Sequence, residues 1–162
     1  MSDETYLITA AEIAAMEGVA KTHFMNPNAK RINKSLGDLT GLARIGVHII
    51  EVAPGHDSTE HHVHYHEEEC VYILVGQGTA YIGDEAHAVG PGDFIGYRVG
   101  GLPHSLRNTG SDVLRVLVVG QRSDHDVGDY TRAGKRIFRN KDLPWSLVDI
   151  EAIKEISAGK KK

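Results

Sequence analysis

Cysteine is almost missing from this chain. Cys70 is the only one in 162 residues, which excludes an internal disulfide framework and fits a reducing compartment. A basic field is missing too: the net charge is −4 and the one basic run, residues 160–162, is a terminal lysine tail read as solvated. No nucleic-acid partner is expected on that balance. Long apolar runs are also wanting. Residues 113–119 form the most apolar stretch, and Arg115 interrupts it, so no membrane span is expected. Residues 1–4 are acidic and polar, unlike a secretory leader. Internal repeats and low-complexity segments are absent. These absences leave one cytoplasmic domain over residues 1–162, long enough to bury a core.

What is present is mostly β-forming. Thr9-Ala10-Ala11-Glu12 has the form of a capping box, predicting a short helix from Ala10 to Met16 that ends at Gly18. The arm 1–39 otherwise reads as irregular around Asn26-Pro27-Asn28 and Gly37-Asp38. From residue 43 onward, β-branched stretches at 43–52, 70–75, 79–82, 86–89, 94–99, 105–108 and 113–119 alternate with Gly-containing turns. Gly83-Asp84-Glu85 marks a hairpin, and Gly90-Pro91-Gly92-Asp93 a type II turn. At least seven short strands with no helix between them predict an antiparallel sandwich or barrel over about residues 40–120. Its apolar core is expected from Val47, Ile49, Val71, Ile73, Val116 and Val118. The extension 121–162 reads as polar and mostly irregular, with a short helix near residues 148–156.

Chemistry concentrates in one place. Residues 55–76 carry His56, His61, His62, His64 and His66, followed by Glu67, Glu68 and Glu69. Imidazoles massed beside carboxylates point to a divalent cation between them. His62 and His64 alternate, so on a strand both face the same way. Glu69 begins the next strand, with Glu68 as the alternative carboxylate, and His104 lies beyond. Three imidazoles and one carboxylate would leave positions open on an octahedral metal, as an exchanging site requires. His61 and His66 fall on the opposite parity and read as solvent-facing, His56 as an exposed turn residue, and Asp124-His125-Asp126 as a solvated loop. Cys70 reads as a structural thiol.

The pattern His62-x-His64-x4-Glu69-x6-Gly76 resembles the first motif of the cupin family, and residues 92–108, ending Gly101-x2-His104-x3-Asn108, resemble its second. Two departures stand out: Gly55 lies one residue further upstream than the family pattern, and Arg98 with Gly100-Gly101 replaces the usual proline region. The resemblance covers about residues 40–120. It implies a jelly-roll barrel in which His62, His64, Glu69 and His104 bind one divalent metal ion (Fe, Mn, Zn, Ni or Co), and a homodimer. Arg44 and His48, on one strand, and Tyr97 and Arg98, near the mouth, are candidates for binding an anionic substrate. His48, Tyr97 and His66 are candidates for proton transfer. The implied function is an enzyme (a dioxygenase, isomerase or lyase) acting on a small oxygen-rich or carboxylate-bearing molecule. A non-catalytic module that captures a sugar or acid stays open beside it. Bound metal would hold the histidines deprotonated, so metal-linked stability is expected to decline below about pH 6.5.

Overall fold

The Thr9 capping box is present: the Thr9 hydroxyl accepts from the Glu12 amide, and the Glu12 carboxylate accepts from the Thr9 amide at 2.7 Å. It opens α1 (Ala10–Ala15), and Gly18 at φ +74° turns the chain away from it. This computed structural model describes residues 5–159; the acidic start and the lysine tail lie outside them. Then follow β1 (Val19–His23), β2 (Asn26–Ser35), α2 (Leu36–Leu39), β3 (Ile45–Val52), β4 (Val63–His64), β5 (Glu69–Val75), β6 (Gly78–Ile82) and β7 (Glu85–Val89). The remaining strands are β8 (Phe94–Tyr97), β9 (His104–Arg107), β10 (Leu114–Gln121), β11 (His125–Tyr130), β12 (Lys135–Asn140) and β13 (Ser146–Asp149).

The strands build a six-stranded antiparallel sheet in the order β1-β2-β3-β10-β5-β8 and two smaller ones, β13-β12-β11-β4 and β7-β6-β9. A backbone bridge between His62 and His104 joins the two smaller sheets. Between the large sheet and the β7-β6-β9 sheet sits the apolar core: Ile50, Val52, Val71, Ile73, Ala80, Leu106, Leu114 and Val116 among others. Under β1, β2 and β3 the same barrel is hollow, and charged and polar side chains share its lining with Ile50, Val71 and Val118. One half of the sandwich therefore holds the fold together and the other half is left for a ligand. The expected hairpin turn at Gly83 and the turn at Gly92 both adopt positive φ, as glycine there permits.

Four expectations need correction. The arm is not irregular: β1 and β2 form a hairpin that pairs with β3 of the same chain. The extension is not irregular either, since β11, β12 and β13 make most of one sheet. No helix forms at 148–156; Val148 pairs with Arg136, and only a 3₁₀ turn, Ile150–Ala152, follows. The core parity of β3 is shifted by one residue. Ile50 and Val52 are buried inside, His48 faces the cavity, and Val47 and Ile49 are only half buried.

Candidate metal centre

His62 and His104 are brought together by the main chain itself. Each amide donates to the other's carbonyl, at 3.0 and 2.7 Å, so their imidazoles leave the same point of the wall and their ring centroids lie 4.6 Å apart. His64, two residues along, places its ring 4.8 Å from that of His62. Glu69 enters from the facing sheet as the first residue of β5, held between Tyr97 of β8 and Gly120 of β10. Potential ligand atoms of His62, Glu69 and His104 all lie within 4.8 Å of one another.

The orientation of the rings is what makes this cluster fit a cation. Nδ1–H of His62 donates to the Glu60 carbonyl at 2.8 Å, that of His104 to the Leu102 carbonyl at 3.3 Å, and that of His64 to Asp126 at 2.7 Å. Every ring is thereby fixed in the tautomer whose Nε2 carries a lone pair. His104 Nε2 is buried and has no hydrogen-bond partner, an orphaned acceptor of the kind a metal satisfies. Burial pushes His104 down to about 4, and it holds His62 well below the usual histidine range, with His104 and His64 adding to the effect. Burial raises Glu69, opposed by His64 and Arg31. Such a site favours neutral imidazoles awaiting a positive partner.

Support comes from residues that the sequence concealed. Asp126, 1% exposed, accepts from His64 through one oxygen and from the His66 amide through the other. Arg139 bridges Asp126 to Glu67, whose other oxygen accepts from the Ser123 amide at 2.7 Å. Burial alone would raise Asp126; the bonds from His64 and Arg139 outweigh it and bring the carboxyl to about 2. Although His64, Glu67 and Asp126 also cluster tightly enough to suit an ion, Arg139 already occupies that acidic pair. Tyr97 lies flat on the His104 ring, 3.5 Å away and nearly parallel. Its phenol, raised by burial, stays protonated at neutral pH.

The cavity in front of these groups measures about 510 Å³, within the range of small-molecule sites. Residues 48–120 match the family model of the cupin domain. A candidate sugar phosphate isomerase from Acidithiobacillus ferrooxidans is 46% identical, over 94% of this chain and 97% of that one, with a TM-score of 0.92. The chain is a cupin. A sugar phosphate isomerase of the cupin superfamily from Silicibacter pomeroyi shares the cupin's fold at 20% identity, TM-score 0.76, over 90% of this chain and 95% of that one. The polyketide cyclase RemF from Streptomyces resistomycificus is 27% identical, with TM-score 0.50, over 65% and 68% of the two chains. No curated protein matches the cupin.

Of the other residues singled out in the sequence, His48 and Tyr97 line the cavity of the cupin, while Arg44, Arg98, His66 and Glu68 are exposed and do not. His61 is not solvent-facing: it is 4% exposed and its Nδ1 meets Ser105 Oγ at 3.1 Å. Asp126 is likewise no loop residue but part of β11. His56 is half buried, with Nδ1 against Asn28. A signal for Asp126 existed in the alternation Asp126, Gly128, Tyr130, three buried positions on one strand. Arg31 and Arg139 carried none.

The buried histidines set a pH dependence even without metal. Their folded pKa lies below the unfolded value of about 6.5, so the unfolded chain binds more protons as pH falls, and stability drops through the window from about 6.5 towards 4. Each contributes a slope of up to about 1.4 kcal/mol per pH unit there. Denaturant titrations in chelator between pH 6 and 4.5 should show this slope, and His104→Gln should remove one proton's share. An unchanged slope in the variant would mean that His104 ionises freely in the fold. The decline expected from the metal alone is therefore already built into the burial.

Proposed function

We propose that this cupin is a metal-dependent isomerase of small polyhydroxylated carbonyl compounds, with His62, His64, Glu69 and His104 as the metal ligands. The observation that carries the reading is the convergence of His62, Glu69 and His104 on an open cavity, their potential ligand atoms within 4.8 Å of one another, with the His64 ring beside that of His62. The isomerase class draws its support from the 46% identity to the candidate sugar phosphate isomerase along both chains. A donor set of nitrogen and oxygen suits Fe, Mn, Zn, Ni or Co. When bound, such an ion supplies Lewis-acid polarisation of a carbonyl and its neighbouring hydroxyl.

The chain's own groups then bind and orient. Ile50, Val71 and Val118 give the cavity an apolar floor. His48 Nδ1 lies 3.1 Å from Ser35 Oγ and 3.3 Å from the Asn33 amide, contacts that hold its ring on the cavity wall where it can meet a substrate hydroxyl. Burial, with Arg122 adding, lowers its pKa and keeps it neutral. Tyr97 keeps the His104 ring in place and remains a donor rather than a base. Isomerisation moves one hydrogen between adjacent carbons and one proton between their oxygens, with no net gain or loss of electrons, so substrate alone balances the reaction.

The test is to purify the protein without chelator, measure its metal, and follow aldose–ketose interconversion of a panel of sugars and sugar phosphates by NMR. One metal per chain and interconversion abolished by chelator and restored by metal are expected. A metal-loaded protein that binds these compounds without interconverting them would instead be the non-catalytic capture module.

A further inference from the structure

On the wall of the same cavity, the β1–β2 hairpin sets Lys21 directly opposite Arg31. Two like charges facing each other across a strand pair oppose folding unless an anion lies between them. His23 and Asn33, on the same two strands, line the cavity together with Lys21 and Arg31. Arg31 is anchored: its Nη1 donates to the Ser58 carbonyl at 2.6 Å. Its Nε is buried and makes no hydrogen bond, which leaves the Nε side of the guanidinium fork to something absent from the chain. Among the described residues neither Lys21 nor Arg31 has an ion pair. The one carboxylate acting strongly on Arg31 is Glu69, which belongs to the metal donor set.

We propose that Arg31 and Lys21 form an oxyanion subsite that holds the phosphate monoester of the substrate while its carbonyl end lies at the metal centre. A dianion matches two cations, and the open edge of a guanidinium fits two phosphate oxygens. The subsite rests on the isomerase reading for its substrate, but not for its chemistry.

The probe is inorganic phosphate, titrated calorimetrically into chelator-treated full-length protein, with acetate as the carboxylate control. One phosphate per chain should bind saturably, and acetate should not. Arg31→Gln should weaken phosphate at least tenfold, and Lys21→Gln about threefold. Unchanged affinity in Arg31→Gln, or acetate binding as tightly as phosphate, overturns the proposal. If Arg31→Gln fails to fold, Lys21→Gln decides, because Lys21 is exposed and its loss spares the core; unchanged affinity there overturns it too. Phosphate bound at Arg31 in a protein that interconverts no sugar would sink the isomerase reading and leave the subsite standing.

Discussion

His104→Ala is expected to purify with almost no divalent metal, its affinity more than about 100-fold below that of the wild type. Losing a mere supporting partner of a ligand already costs about 10- to 100-fold, and His104 presents its buried, unpartnered Nε2 directly to the cluster. The alanine also strips the stacking partner from Tyr97 and leaves a void in a site 3% exposed, so some loss of stability accompanies it. His104→Gln fills most of that space without restoring the imidazole. Metal analysis and competition titration on both variants separate ligation from packing. Full occupancy in the glutamine variant would remove His104 from the ligand set.

Asp126→Asn carries the largest expected loss of stability. Breaking a buried ion pair by removing one partner costs about 3–5 kcal/mol, and the lower end applies because Arg139 keeps Glu67. The asparagine amide would in addition meet either the His66 main-chain N–H or both the His64 N–H and the Arg139 guanidinium, donor against donor. Metal affinity should fall by about 10- to 100-fold as His64 loses the partner that fixes its tautomer. In wild-type protein the carboxyl titrates near 2, below its unfolded value of about 3.9, so its contribution is complete above that value and is lost as pH falls towards 2. Urea unfolding of the chelated variant checks the first effect and competition titration the second. Wild-type metal affinity in Asp126→Asn would show that His64 needs no such partner.

The proximity of His62, Glu69 and His104, with His64 beside His62, was legible because alternation and spacing survive in a linear reading: His62 with His64 on one face, Glu69 at the head of β5, and His104 in the second motif. Most of the strands from β3 to β10 were legible because β-branched stretches alternate with Gly-containing turns there. β1, β2, β11 and β12 were not, for one physical reason. Inward or buried positions on these strands are taken by Lys21, Arg31, Asn33, Asp126 and Gly128, where a hydrophobic period would otherwise appear. Asp126 and Glu67 are buried against Arg139, a match of charge to charge that no periodicity of apolar residues records. The shifted parity in β3 has a related origin, since His48 takes an inward position that a purely apolar reading gives to Val47 or Ile49.

The main-chain bridge between His62 and His104 also sets a clock. The two residues are far apart in sequence, and their pairing requires a long loop to close before the site exists at all. A cation has no assembled set of ligands to bind until that closure is complete, so it arrives after the folding barrier. Its stabilisation therefore falls on the unfolding rate rather than the folding rate.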